Sequence, residues 1–586
     1  MSQRSHPTPM FPSPFTFILN YPVPLVELRL RRFSREIHAK PQWWEKVYDP
    51  DVAVRWRTEI IEFDREMIQR FWAGEERFNE GSGEKQWPRD PITEAQLVYL
   101  FDELRYVASQ RDGRTGTVHT TIPMVYEASA LITGPIKSAL RDLARKLEDI
   151  PENQKDWHPG SNHQVLDLIH PSLFCLRIGQ SFVRSLQPGH TDGLERLTEK
   201  MYLHQRPDIA KCVREYWVTR SREDDLLPFE FTVSKAHQWL PTDFEVTEGG
   251  QVRPMGYINN FHPLDHAVGY KTISSVLERF IPLFERVVSD QLSSPAPPIF
   301  PIDPLSWYGR PYAQRPEAKL PQGPERDEWR RRHLWPKIPE VHPFRPPGGG
   351  ERVAFSLRGR AIQVIVKMAN IVLTPENPIY QGGSWHVEGM ANERIVATGL
   401  YYYGSDNITE SQLMFRAAVG DGRSGSGSEF DFEWWDHKGW LVVYGITRDL
   451  ALNQQLGYIV AQEDKCVVFP NIYQHRVAPF ELVDRSRPGH RKILAFFLVD
   501  PLTPVHSTSV VPPQQAHWYR DAVYQSEAFR KLPTELIEEI LTYALEGTIT
   551  IAEAERYRAE LMEERAQFVL MHNEEVFEMQ FSLCEH

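Results

Sequence analysis

Three side chains that could share one metal ion lie on two extended, apolar segments of the chain. His386 and Glu388 stand two apart in Gly383-Ser-Trp-His-Val-Glu-Gly389. In a strand, residues i and i+2 project from one face with backbones about 7 Å apart, so an imidazole and a carboxylate can converge on the same ion. A His followed two later by Asp or Glu arises by chance about three times in such a composition, so the pair alone reads equally as a surface accident. A second segment, Cys466-Val-Val-Phe-Pro-Asn-Ile-Tyr-Gln-His475, brings a third ligand type 87 residues after Glu388. Two imidazoles and one carboxylate on one side of Fe(II) leave three adjacent positions open, enough for a bidentate oxo-acid and then O2. Around Zn²⁺ the same set could activate a water for hydrolysis. Sixteen residues beyond His475, Arg491 opens Arg-Lys-Ile-Leu-Ala-Phe-Phe-Leu-Val499. A guanidinium at the mouth of a strand offers a fixed fork for the distal carboxylate of a diacid. Lys492 is the competing inward residue, because strand neighbours point to opposite faces.

Other chemistry-bearing stretches have ordinary structural readings. His262-Pro-Leu-Asp-His266 has the i, i+4 spacing of helical zinc ligands but lacks the glutamate of a His-Glu-x-x-His helix, and Pro263 suits a helix start. Asn259 and Asn260 fit turn chemistry as well as the lining of a cleft. Trp434-Trp-Asp-His437 could wall a substrate site, although aromatic clusters are more often core. Cys584-Glu-His586 reads as a solvated tail. No phosphate-binding glycine loop or Gly-x-Ser-x-Gly elbow competes for the chemistry.

The elements that must position these residues are legible in the patterning. Apolar residues recur at helical spacing over about 55–78 and 93–109, as in Ile60, Phe63, Ile68 and Phe71, and again over 136–147 and 193–218. Prolines crowd residues 293–350, which also carry Trp307, Tyr308, Tyr312, Trp329 and Trp335; rings of that size imply a connection packed over something. From Ala361 the pattern becomes strand-like, in Ala361–Met368, Arg394–Tyr403, Leu441–Tyr444, Lys465–Phe469 and Arg491–Val499, with a glycine-rich loop over 420–428. Helical spacing returns after Ser526, with starts near Pro533 and Ile551. The 586 residues are 41% hydrophobic and 25% charged, enough apolar surface for a sizeable core. A net charge of −13 supplies no general attraction to nucleic acid or anionic lipid. Four scattered cysteines suggest neither disulfides nor a zinc ribbon. Prolines interrupt the N-terminal apolar run, and no stretch suits a membrane span at a mean hydropathy of −0.45. The expectation is a cytoplasmic protein, or a nuclear one, with no membrane or nucleic-acid partner and an unassigned oligomeric state.

The order His-x-Glu, distant His, then Arg on the following strand resembles the Fe(II)/2-oxoglutarate-dependent dioxygenases. The resemblance implies a double-stranded β-helix with His386, Glu388 and His475 as iron ligands and catalytic centre. It also implies 2-oxoglutarate as cosubstrate with O2, Arg491 on its C5 carboxylate, and a nearby tyrosine, Tyr402 rather than Tyr401 or Tyr403. Glu388 stands where that family more often has Asp. Trp239-Leu-Pro, Tyr257-Ile-Asn-Asn-Phe-His-Pro263, Phe469-Pro-Asn-Ile-Tyr-Gln-His-Arg-Val and Pro488-Gly-His-Arg-Lys-Ile-Leu-Ala-Phe-Phe-Leu-Val-Asp-Pro501 are similar to an uncharacterised, largely fungal family defined by a domain of unknown function. The expected fold is α+β: a mostly helical segment over 1–110, a helical scaffold over 111–292, a Pro-rich irregular connection over 293–350, a jelly-roll or cupin-like double-stranded β-helix over 351–505, and a C-terminal helical extension over 506–586. The expected function is oxidation, as by hydroxylation, of an unidentified organic substrate. The alternatives are a zinc hydrolase on the same ligands and a non-catalytic jelly-roll binding or scaffold protein.

Overall fold

A computed structural model of the chain describes residues 11–16, 21–74, 85–184, 193–214, 228–294, 298–304, 306–309, 315–347, 352–419, 436–447 and 450–580. Three amphipathic helices open it: α1 (Leu25–His38), α2 (Pro50–Trp72) and α3 (Glu94–Gln110). Asp49 caps α2 ahead of Pro50, and Thr93 with Gln96 forms a capping box on α3, so both starts are written in the sequence. Leu30, Phe33, Trp56, Ile60, Leu100 and Leu104 form their shared core. Buried Arg29 links them by hydrogen bonds to Asp64 (3.0 Å) and Gln96 (2.6 Å).

Ten strands form one antiparallel sheet: β1 (Val118–His119), β2 (Tyr126–Ala128), β3 (Asp156–Trp157), β4 (Val165–Ile169), β5 (Thr242–Val246), β6 (Val252–Pro254), β7 (Arg360–Leu373), β8 (Ile395–Asp406), β11 (Cys466–Pro470) and β13 (Gly489–Val499). Their order is β1-β2-β11-β8-β13-β7-β4-β3, with β5 also on β7 and β6 on β5. A three-stranded sheet carries β9 (Gln412–Ala418) between β10 (Asn453–Val460) and β12 (Gln474–Val477).

The two faces of the large sheet bury different layers. Leu494, Phe496 and Leu498 of β13 pack with Met368 of β7 against Ile273, Phe280 and Phe284 of the long helix α5 (Ala267–Leu292). The alternate residues Ala495 and Phe497 join Ile365 and Tyr402 on the opposite face, in one core with Leu413 and Phe415 of the small sheet. The two sheets therefore enclose an apolar interior, and the side chains of interest face it. The chain ends in α7 (Thr534–Ala544) and α8 (Ile551–His572), preceded in this order by α4 (Gly134–Glu148), α5 and the short α6 (His437–Tyr444).

Two expectations change. Residues 111–292, read as a helical scaffold, contribute six strands of the large sheet beside α4 and α5, so they share that sheet with 351–505. Those strands run two to five residues, too short for a period of two to show. Leu441–Tyr444, read as a strand, is the last turn of α6, which begins where the Asp436 side chain accepts from the Gly439 amide and ends at Gly445 with φ 72°. A buried apolar run of this length fits either element, and the caps decide it. The proline-rich connection carries a helix over Pro324–His333, and its Trp307 is buried against Trp440 and Tyr444. Tyr312 and the loop 420–428 lie outside the described residues. No helix among the described residues is long and apolar enough to cross a membrane.

Candidate functional site

An isolated antiparallel bridge joins His386 to His475, with the amide of each donating to the carbonyl of the other at 3.2 and 3.0 Å. The bridge holds the two imidazole centroids 4.5 Å apart. Two residues on, the Glu388 carboxylate lies 3.2 Å from His475 Nε2 and 3.9 Å from His386 Nε2. One potential ligand atom from each of the three side chains falls within 4.8 Å of the others. The backbone of Glu388 is fixed by Asn471, whose Oδ1 accepts from the Glu388 amide (2.8 Å) and whose Nδ2 donates to the carbonyls of Glu388 (2.9 Å) and Ile395 (3.1 Å). Gly389 then turns the chain at φ 70°, where a Cβ would meet Ile395 and Glu393.

The electrostatics suit a divalent cation. Burial alone would raise the Glu388 carboxyl, but the hydrogen bond with His475 and the charges of His386 and Lys367 hold it down to about 2. Burial, with His475 beside it, keeps the His386 imidazole below its ordinary value, in the neutral form a metal requires. His386 Nδ1 donates to the Ser384 carbonyl at 2.8 Å, which leaves the Nε2 lone pair toward Glu388. The His386 side chain is 36% exposed, against 5% for His475, so the site opens to solvent on the His386 side. Two imidazoles and an ionised carboxylate fit a borderline divalent ion, Fe(II) included.

Arg491 lies on the interior face of β13 and is 2% exposed. Its Nη1 donates to Ser411 Oγ at 2.7 Å, its Nε has no partner, and its guanidinium carbon lies 5.5 Å from the Tyr402 ring and 5.6 Å from the Phe480 ring. No carboxylate among the described residues pairs with it. Lys492 faces the other way, to Glu148 at 2.7 Å. Of the three consecutive tyrosines, Tyr401 donates to Asp464 and Tyr403 to Asn370, while the buried Tyr402 hydroxyl has no partner. Ser411, Leu413 and Phe415 alternate onto one side of β9. Ser411 bonds Arg491 at one end, and Phe415 packs 6.3 Å from the His475 ring at the other, about 13 Å along the strand.

The remaining candidates do not converge. His262 pairs with Asp265 at 3.1 Å, while His266 stacks on Phe261 at 4.5 Å, so the two imidazoles serve different partners. Asn259 and Asn260 donate to the carbonyls of His170, Leu173 and Phe174, so they tie their loop to the segment after β4 rather than making local turn bonds. Trp434, Trp435, Cys584 and His586 lie outside the described residues, and Asp436 is buried in bonds with Trp307 and Tyr308. Sequence reasoning missed Asn471, Ser411 and Lys367, although Asn471 sits in the segment that carries His475 and Lys367 in the strand read over Ala361–Met368.

The family described as a protein of unknown function, DUF4246, matches residues 94–522, and its N-terminal domain, DUF4246_N, matches residues 2–59. No curated protein matches the chain. Among solved structures, it is similar to the Fe(II)/α-ketoglutarate-dependent dioxygenase TqaL at 11% identity, covering 52% of this chain and 79% of that one with a TM-score of 0.21. A BsmA homologue from Methylobium petroleophilum PM1 is 10% identical over 64% of this chain and 86% of its own, with a TM-score of 0.23. IDO from Bacillus thuringiensis is 11% identical over 24% of this chain, with a TM-score of 0.15; the chain spans less than half of that protein, 46%. At such scores the chemistry rests on the site itself.

Proposed function

We propose, from the premise that the chain belongs to the DUF4246 family of unknown function, that it is a non-haem Fe(II)/2-oxoglutarate-dependent dioxygenase oxidising an organic substrate. In this reading the two sheets are a double-stranded β-helix, and its interior is the reaction chamber. The observation that carries the proposal is the buried Arg491 guanidinium, which meets no carboxylate among the described residues and bonds Ser411 at one end of the strand face that reaches His475. A buried cation is costly unless an anion meets it. A short diacid supplies one carboxylate to the arginine fork while its other end reaches the His386, Glu388 and His475 ligands.

When bound, Fe(II) with the oxo-acid and O2 supplies the oxidising power; the residues of the chain bind, orient and shield. His386, Glu388 and His475 hold the ion from one side, and Asn471 keeps Glu388 in place. Arg491, Ser411 and the Tyr402 hydroxyl fix the far carboxylate. Leu413, Phe415 and Phe469 keep water away from the interior between them. A zinc hydrolase on the same ligands would give Arg491 no task, and a purely structural jelly roll would leave its charge uncompensated.

Anaerobic thermal melting tests this reading. Mn(II) should raise the melting temperature, 2-oxoglutarate should add a second shift only when Mn(II) is present, and Arg491→Ala should lose the second shift while keeping the first. No stabilisation by Mn(II), or no added shift from the oxo-acid, would overturn it.

A further inference from the structure

A second set of metal-ligating side chains lies on the hairpin of β3 and β4. His158 follows β3, and its amide donates to the Val165 carbonyl, which makes His158 and Asp167 diagonal neighbours on one face. His170 comes just after β4, where Pro171 turns the chain. His158 Nδ1 lies 2.7 Å from Asp167 Oδ2, His170 Nε2 lies 3.9 Å from the same oxygen, and the two ring centroids are 5.1 Å apart. One potential ligand atom of each falls within 4.8 Å of the others. Asp167 is 5% exposed, and its Oδ1 has no hydrogen-bond partner among the described residues. A buried carboxylate oxygen left unpaired is rare in native proteins and calls for a partner.

We infer that His158, Asp167 and His170 form a second divalent-cation site, of the zinc class, with two imidazoles, one carboxylate and an open fourth position. The Asp167 carboxyl, which burial would raise, is held down to about 2 by His170 and the hydrogen bond with His158, and burial holds His170 well below its ordinary value. Ligands in those states need give up little to a cation. His170 Nδ1 accepts a long contact, 3.2 Å, from the Ser172 amide; coordination through Nε2 moves the ring proton to Nδ1 at the expense of that contact. The site borders the same interior as the first. Asp167 pairs across β7 with Ala369, on the strand face that carries Lys367 and Ile365. Lys367 acts electrostatically on both sets, and Trp239 packs 6.4 Å from His170 and stacks on Phe497 of the shared core.

The inference does not rest on the reading of the first site. The test is equilibrium dialysis of the chelator-treated full chain against Zn²⁺, with bound metal counted by mass spectrometry and folding followed by circular dichroism. A variant carrying both His386→Ala and His475→Ala should still bind one Zn²⁺ per chain, and adding Asp167→Asn should abolish that binding. His158 is partly exposed, so His158→Ala keeps the fold and should weaken binding at this site at least tenfold; it decides the matter if the Asp167 variant misfolds. Loss of all binding in the folded double variant, or unchanged binding in His158→Ala on that background, would overturn the inference. One ion lost with Asp167→Asn but not with His386→Ala and His475→Ala would instead count against the first site and leave this one standing.

Discussion

At the scale of single residues, Glu388 is placed through its backbone as much as through its carboxylate. Asn471 accepts from the Glu388 amide and donates to the Glu388 and Ile395 carbonyls, and it is buried, so nothing replaces it on removal. Asn471→Ala should lower Mn(II) affinity by about 10–100-fold, as loss of outer support does at metal sites. Unpaired backbone groups should also cost about 1–3 kcal/mol of stability. Urea unfolding of the metal-free protein and a Mn(II) titration separate the two effects, and an unchanged Mn(II) affinity would remove Asn471 from the site. Tyr402→Phe makes a different prediction. Its hydroxyl has no partner, so the substitution should leave the ligand-free melting temperature unchanged or slightly raised. If the hydroxyl meets the oxo-acid carboxylate, 2-oxoglutarate binding to the Mn(II)-loaded protein should weaken about tenfold, or about 1.4 kcal/mol. Equal affinity in a calorimetric titration would take Tyr402 out of the pocket. The four residues His386, Glu388, His475 and Arg491 were legible because type, spacing and strand setting coincide in three segments. Ser411 and Asn471 were not, since a neutral polar side chain carries no signal until its partner is known. His158 and Asp167 stayed hidden for another reason: their hairpin lies between the helical stretches over 136–147 and 193–218, inside the segment 111–292 read as a helical scaffold, and its strands are too short to show a period.

At the scale of elements, the long strands β7, β8 and β13 declare themselves by length and alternation, and α2 to α4 by their apolar stripes. Among the short strands, β4 and β5 pair with β7 and β2 pairs with β11, while β3, β6 and β1 are joined to the sheet through them, so tertiary pairing rather than local propensity reveals them. The packing of α5 on the large sheet turns on Gly399 in β8. A Cβ there would lie 2.8 Å from Phe280 and 2.9 Å from Phe284. Both rings are fully buried and β8 is held on both sides, by β11 and β13, so neither surface can yield far. Gly399→Ala should therefore destabilise by about 1–3 kcal/mol through overpacking. Because the substitution acts on the helix face of the sheet, Mn(II) affinity of the remaining folded protein should be unaltered. A urea midpoint equal to that of the parent would show that α5 moves freely on the sheet.

At the scale of the whole molecule, residues 111–292 and 351–505 complete one sheet, and the buried histidines are spread across both and beyond. Burial, reinforced by Arg206, holds His506 at about 4. His572 is likewise held at about 4 by burial, despite donating to the Pro14 carbonyl at 2.8 Å, and His170 is pushed down by burial as well. In the unfolded chain each titrates near 6.5. Between roughly pH 6.5 and 4 the unfolded state therefore binds more protons than the folded state, and stability rises with pH across that window. The contribution is fully present above pH 6.5 and is lost as the pH falls toward the folded-state values, with a penalty on the order of 1–3 kcal/mol for each histidine that must charge on unfolding. The metal-free protein should melt at nearly the same temperature at pH 7.5 and 6.5, then progressively lower down to pH 4.5. Since the strands of both segments share one sheet, far-ultraviolet and tryptophan signals should move together in a single transition. His506→Gln with His572→Gln replaces two titrating rings by neutral amides and should flatten the slope below pH 6.5 without moving the plateau above it. An identical slope in that double variant would place the acid sensitivity in other groups.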